Sequence, residues 1–272
     1  MATAQLSELR DALELELSIP AGSAYVDSVP ELRDLRRAYE KTAEAYNWRE
    51  FLTRVGIVKI ANLDRYSLPA NFRKARTIKL DNVTLGETEQ DFIKKTRSSY
   101  LIDKVQNDII VNPIPTTASS AFVLDDAETA GNAVVIDLDT VSGLSQFDEI
   151  WVDSVSGTDE FTIVSSVDSA NTRITARLDA NKSASDTLYR QDDILDIKYY
   201  RRVNTLSSAS DTLLLPDSVD FIIIHYAAFL AYYRLEQYTE GDKQKESWRS
   251  QLAEAWLAEG RGSTGYSNQF TL

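Results

Sequence analysis

The sequence has no cysteine and only one histidine and one methionine among its 272 residues. The lack of cysteine excludes disulfide bonds, thiolate zinc sites, iron–sulfur clusters and cysteine nucleophiles. With His225 as the only imidazole, one chain cannot build a metal site from several histidines. Because the side chains that most often perform chemistry are missing, we expect a non-enzymatic protein without cofactor, metal or catalytic residue.

Long hydrophobic runs are also missing. The most apolar stretch, Val219 to Tyr233, is shorter than the ~20 residues that a membrane-spanning helix needs, and it includes Asp220 and His225. Residues 1–17 carry charged side chains where a secretory signal would have an uninterrupted apolar core. We therefore expect neither a membrane span nor a secretory signal.

The charge is strongly acidic and unevenly distributed. Hydrophobic residues make up 43% of the chain, enough for a sizeable core, and the formal net charge is −13. Residues 115–189 hold 13 acidic side chains and three basic ones. So abrupt a change in composition marks a domain, and the negative charge argues against a general affinity for nucleic-acid backbones.

Helical patterns occupy the N-terminal end of the chain. A leucine stripe at helical spacing predicts a first helix over residues 4–17: Leu6, Leu9, Leu13 and Leu17. Ser28 and Glu31 have the spacing of a capping box, which predicts the start of a second helix. Its apolar seam includes Tyr39 and Tyr46.

The C-terminal end is helical as well. Asp217, after Pro216, is a good N-cap for a helix whose segment Phe221 to Tyr233 is apolar almost all round. Residues 239–242 predict a turn. The last helix then carries Trp248, Leu252 and Trp256 on one face and ends near Gly260, in the position of a C-cap glycine.

Between these ends the chain alternates in short β-prone runs. Four precede the acidic segment, at residues 57–60, 75–80, 100–103 and 108–111. Five more lie within or just after it, at residues 132–138, 149–152, 161–164, 173–176 and 194–200. Short strands separated by polar turn clusters are typical of a small barrel or sandwich.

These patterns predict an α+β fold, in which an α-helical bundle module with short β-strands carries an inserted small all-β domain, a barrel or a sandwich. The predicted parts are residues 1–114 for the N-terminal part of the helical module, 115–200 for the acidic β-rich domain, 201–260 for the C-terminal helix pair and 261–272 for a flexible docking tail. The helices are expected to pack through six residues: Trp248, Leu252, Trp256, Phe221, Tyr39 and Tyr46.

Few side chains are candidates for chemistry. His225 fits a core histidine with a buried partner, and a role as catalytic base would need an activated partner. Residues 179–185 copy the alternation of a calcium loop, but Ala184 replaces the required glycine and Arg190 the bidentate glutamate, so we predict a polar hairpin loop. No phosphate loop, dinucleotide fingerprint or nucleophile elbow is present.

Several stretches resemble one family. The run from Leu214 to Phe221, the apolar helix through Tyr226, the pair Gly241-Asp242 and the helix with Trp248 together resemble head-to-tail connector (adaptor) proteins of tailed bacteriophages. The segment Tyr66 to Lys74, followed by a strand, and the helix start Val29-Pro30-Glu31-Leu32 are similar to the same group. The resemblance covers roughly the first 112 and the last 60 residues.

The resemblance implies a structural virion protein at the neck, present in the host cytoplasm during assembly. Such a protein forms a homo-oligomeric ring, typically twelve-fold, beneath the portal protein, and joins the DNA-filled head to the tail or a tail-completion protein. DNA passes through the channel without specific binding, which suits an acidic lumen. The C-terminal segment is implied to dock on the portal, with Tyr266 and Phe270 as anchors.

Two other readings remain open. The acidic β-domain could belong to a binding module that recognises a carbohydrate or a host surface. The chain could also be another virion component, such as a tail-completion or base-plate protein. Particle shape separates these classes, because an adaptor forms a closed ring and a binding module does not need to.

Overall fold

The computed structural model describes residues 5–18, 29–88, 98–155, 158–208, 210–215 and 219–258. The chain divides into two compact units. The first, called here the helical unit, joins the two chain ends, Met1–Leu52 and Arg202–Leu272. The second, called here the sheet unit, is Thr53–Arg201.

The predicted fold class is wrong. The described residues form three β-sheets and only four α-helices, so the protein is mostly β-sheet and not a helical bundle module with an inserted domain. The sequence predicts the short runs before residue 114 as accessory strands of a helical module. They instead pair into sheets with a core of their own, and local alternation does not reveal such pairing because the partners are far apart in sequence.

The four helices are α1 (Leu6–Leu17), α2 (Val29–Ala45), α3 (Asp220–Arg234) and α4 (Tyr238–Ala258). The leucine stripe of α1 is confirmed, since all four of its leucines are buried. Gln5 and Glu8 form a capping box at its start. The predicted caps at Ser28, Asp217 and Gly260 lie outside the described residues.

The turn between the last two helices lies earlier than predicted. Residues 239–242 belong to α4, and the chain reverses at Leu235–Gln237. Glu236 adopts a positive φ of 60° there, a left-handed conformation that ends α3. Gly241 sits inside α4 because its missing side chain leaves room for the ring of Tyr233.

The strands are, in chain order, β1 (Leu52–Val58), β2 (Arg65–Ser67), β3 (Phe72–Leu80), β4 (Val83–Thr84), β5 (Gly86–Glu87), β6 (Ser99–Asp103), β7 (Asp108–Asn112), β8 (Phe122–Val123), β9 (Gly131–Asp137), β10 (Glu149–Asp153), β11 (Glu160–Asp168), β12 (Arg173–Leu178), β13 (Thr187–Arg190) and β14 (Ile194–Arg201). Each of the nine β-prone runs of the sequence overlaps one of these strands.

Two four-stranded sheets share one core. The first has the order β1-β14-β3-β4 and the second β2-β7-β6-β5. Ile78 and Ile197, paired across β3 and β14, pack with Ile109 of β7 in a cluster that draws on both sheets. The strand after the acidic segment thus returns to pair with a strand that precedes it.

The third sheet is a curled half-barrel built from the acidic segment. Its six strands have the order β8-β13-β10-β11-β12-β9, and all of the pairs are antiparallel. A bridge between Leu124 and Leu138 joins the two edges of the sheet. The interior is mainly aliphatic, with Ile136, Ile150 and Val164 almost fully buried, and apart from the buried Asp186 the acidic side chains of residues 115–189 are exposed or half-buried.

Candidate functional site

The helical unit is held together by contacts between its N-terminal and C-terminal segments. Asp34 of α2 is completely buried and accepts two hydrogen bonds from the guanidinium of Arg234 in α3, at 2.7 and 2.8 Å. Bidentate pairs of this kind fix both distance and orientation. The ion pair therefore joins positions that are 200 residues apart in sequence.

Trp248 anchors α4 on α2. Its side chain is 7% exposed, and its Nε1 donates to Thr42 Oγ1 at 3.1 Å. The backbone oxygen of Thr42 accepts from Nε1 of Trp48 at the same distance. The Trp248 ring also meets Tyr226 of α3 in a T-shaped contact. Leu252, one turn further along α4, is buried too.

The end of α4 adds an aromatic stack. Trp256, half-buried, lies parallel to Tyr46 with ring centroids 4.5 Å apart, and Trp48 meets both rings edge-on. Burial raises the pKa of Tyr46. Tyr39 is buried further up α2, where its hydroxyl donates to Asn204 Oδ1 at 2.7 Å.

Phe221 differs from the other predicted anchors. Its side chain is 60% exposed, and its ring meets His225 edge-on at 5.3 Å. Sequence reasoning placed it on a packed face because α3 is apolar almost all round, a pattern that does not distinguish the covered sides from the open one. Tyr266 and Phe270, the expected portal anchors, lie outside the described residues.

His225 has a polar partner on each ring nitrogen. Nδ1 lies 2.5 Å from Gln244 Oε1, and Nε2 lies 3.1 Å from Gln251 Nε2. An amide oxygen accepts and an amide nitrogen donates, so these contacts match an imidazole that donates through Nδ1 and accepts at Nε2. Gln244 in turn donates to Glu16 of α1 at 2.8 Å. This network links three helices and contains no nucleophile.

A groove lies between α2 and α3 and is called here the α2–α3 groove. It has a volume of about 410 Å³. Its floor is apolar, and its rim, on α2, carries charges of both signs; the lining residues are Arg37, Glu40, Lys41, Glu44, Tyr226, Phe229 and Leu230. An apolar floor with mixed charges at the rim suits contact with another protein better than capture of a small ion.

The suspected calcium loop is held by hydrogen bonds of its own. Asp186 is fully buried and accepts from Ser183 N, Ser154 Oγ and Val155 N at 2.8–3.1 Å. Burial alone would raise the pKa of Asp186, but these donors and Lys182 outweigh it and hold the pKa below its usual value. Within the described ranges, no group of carboxylates and imidazoles has the geometry to hold a metal ion.

Sequence reasoning missed Arg54, a central cation of the sheet unit. Its guanidinium pairs with both oxygens of Asp196, contacts Glu149, and lies 3.6 Å above the ring of Phe161. Burial opposes its charge, but the two carboxylates raise its pKa above the usual value. No local signal reveals this cluster, because Asp196 and Glu149 are 142 and 95 positions away.

No protein-family model matches the chain, and no curated protein matches it significantly. Across the described residues, none of the helices combines the length and the apolar character that crossing a membrane requires.

Proposed function

We propose that the protein is a head-to-tail adaptor of a tailed bacteriophage. In this proposal it assembles as a homo-oligomeric ring beneath the portal, binds a tail or tail-completion protein on the other side, and lets DNA pass through its channel. It acts structurally, at the virion neck, and has no catalytic role.

One observation supports this proposal most. Two of the stretches that resemble connector proteins, the helix start at Val29 and the C-terminal run from Leu214, are separated by the whole sheet unit, yet both belong to the helical unit, whereas the segment Tyr66 to Lys74 lies in the sheet unit. The Asp34–Arg234 pair and the bond from Trp248 to Thr42 join residues from the two stretches. A resemblance split between two distant parts of the chain gains weight when those parts form one body.

The α2–α3 groove provides a second argument. An adaptor needs exposed apolar surface that can contact neighbouring proteins. The floor of this groove, on the helical unit, is apolar. Three exposed apolar side chains lie on α3 and α4 of the same unit: Phe221, Tyr238 and Leu257.

Particle size and shape test the proposal. We expect the purified full-length chain to form closed rings in negative-stain images, with a mass in light scattering that is a fixed multiple of 30.5 kDa. A chain that stays monomeric at all salt and protein concentrations would instead favour the binding module. Glycan-array binding by that monomer would then support the binding module as the function.

A further inference from the structure

The charge of the sheet unit is divided between its two parts. Residues 53–114 contain eleven basic and seven acidic side chains, whereas residues 115–189 contain three basic and 13 acidic ones. Copies of a chain with a net charge of −13 repel one another unless opposite charges meet at their contact. The sheet unit therefore has the charge separation that directional self-association needs.

The positive charge is concentrated on one face of the β3–β14 pair. Lys79 lies opposite Asp196, Lys198 opposite Thr77, and Lys74 opposite Tyr200. Residues directly opposite one another in an antiparallel pair share a face, and so do alternate residues along a strand. The three lysines therefore project from the same side of the sheet.

Arg76 adds a fourth cation. The register shifts between Lys198 and Tyr199, which leaves Arg76 as the extra residue on β3, and its side chain is exposed. Asp196 does not neutralise this region, because its carboxylate is bound by Arg54 and Gln191.

The basic face is defined as Lys74, Arg76, Lys79 and Lys198. None of the four forms an ion pair with another described residue. Lys74 and Arg76 are exposed, while Lys79 and Lys198 are half-buried along their stems. Three lysines on one sheet face, with the exposed Arg76 at the bulge beside them, form a surface that is complementary to a cluster of carboxylates.

Such a cluster lies where the half-barrel closes. The bridge between Leu124 and Leu138 brings Asp125 and Asp139 to the same edge, and Asp139 Oδ1 accepts from Val123 N at 3.0 Å. The acidic edge is defined as Asp125, Asp126, Glu128 and Asp139. Within the described part of the chain, no lysine or arginine pairs with any of them.

The pKa of Glu128 reflects the other carboxylates near this edge. Burial raises the pKa of its carboxyl, a hydrogen bond from the backbone of Asp137 lowers it, and the charges of Asp137 and Asp126 raise it again, so that the pKa stays above its usual value. Asp137 itself is paired with Arg173, so it is not counted in the acidic edge.

We propose that the basic face of one copy docks on the acidic edge of a second copy. This inference rests on the proposed ring. The two surfaces differ, so the contact is head-to-tail, and repetition of a head-to-tail contact closes into a ring when the rotation allows. Nucleic acid fits the basic face less well, because phosphates would have to approach a sheet unit that also carries the acidic half-barrel.

Charge reversal tests the contact. The double variants K74E/K198E and D125K/D126K each create like charges across the proposed interface. We expect each alone to raise the concentration of half-assembly at least about tenfold, since like-charge juxtaposition at an interface costs several kcal/mol. The two variants mixed together, or combined in one chain, restore opposite charges and should form rings again. K104E/K243E, which makes the same charge change at exposed positions elsewhere, should assemble like the wild type.

The outcomes separate this inference from the function on which it rests. A wild type that forms no ring overturns the proposed adaptor and this contact with it. Rings that form equally well in all variants overturn the contact and leave the adaptor standing. If K74E/K198E forms normal rings but loses retention on double-stranded DNA that the wild type shows, the basic face serves nucleic acid and the copy-to-copy contact is wrong.

Discussion

Gly56 in β1 lies directly against the indole of Trp151 in β10. A Cβ atom at position 56 would lie 2.8 Å from Cδ1 of Ile194 and closer still to the indole ring. Trp151 has little freedom to move away, because it is 4% exposed and stacks on Tyr189 at 5.6 Å. The lack of a side chain at Gly56 is therefore what allows β1 to approach the half-barrel so closely.

Replacing Gly56 by alanine should destabilise the sheet unit. Inserting a methyl group into a packed site costs about 1–3 kcal/mol, because neighbouring side chains leave their preferred rotamers. Urea unfolding followed by tryptophan fluorescence measures this loss. Gly86→Ala is the matched control, since a Cβ there meets nothing within 4 Å. If the two variants unfold at the same urea concentration, the side chains around Gly56 accommodate the added methyl group without strain.

The helical unit should depend strongly on Trp248 and weakly on Phe221. Trp248→Ala removes a buried ring and its bond to Thr42, which should cost about 3–5 kcal/mol. Phe221→Ala, at an exposed position, should change the free energy of unfolding by less than about 1 kcal/mol. Thermal unfolding followed by circular dichroism at 222 nm compares the two. A larger loss for Phe221→Ala would mean that its exposed face is covered in the assembled protein.

Asp153 should lower stability at neutral pH. Burial raises the pKa of its carboxyl, and the nearby Asp159 and Asp186 raise it further. The folded state therefore favours the protonated carboxyl. Above the folded-state pKa the carboxyl is ionised, and this ionised form destabilises the folded state relative to the unfolded state. Asp153→Asn should raise the melting temperature at pH 7, and the gain should disappear below about pH 4, where the wild-type carboxyl is protonated in both states.

The control for this pH effect is Asp179→Asn. Asp179 is 68% exposed and pairs with Arg177 at the surface, an arrangement that contributes little to stability. Its substitution should shift the melting temperature only slightly at either pH. If Asp153→Asn destabilises the protein at pH 7, the carboxylate has a stabilising partner and the argument from burial is wrong.

Local patterns in the sequence identify the elements but not how they combine. The stripe of Leu6, Leu9, Leu13 and Leu17 is recognisable because helical spacing within twelve residues decides its burial. The alternation in β14 is equally local. The pairing of β14 with β3 is not local, because Leu195 pairs with Leu80, about 115 positions earlier. The mistaken fold class came from this missing information.

The same limit applies to the candidate surfaces. The sequence alone does not place Lys74, Lys79 and Lys198 together, because only the register of β3 on β14 brings them to one face. His225 was recognisable as a core residue from its apolar helix, but Gln244 and Gln251 became its partners only through the packing of α4 on α3.

The C-terminal segment should carry portal docking. Tyr266 and Phe270 lie outside the described residues, and their role follows only from the proposed adaptor. Tyr266→Ala combined with Phe270→Ala should leave rings unchanged and weaken binding to portal-bearing heads by at least about tenfold, as expected for aromatic anchors. Ser263→Ala with Ser267→Ala is the control. If the aromatic variant binds portal-bearing heads as well as the wild type does, the docking surface lies elsewhere on the protein.

The adaptor proposal can be examined by electron microscopy of portal-bearing, DNA-filled heads that have been incubated with the purified protein. If the protein is an adaptor, we expect a ring of protein copies at the portal vertex, with the ring axis on the DNA exit channel and a gain in retained DNA after washing. Heads whose portal vertex stays bare, together with free protein that remains monomeric at the same concentration, would contradict it.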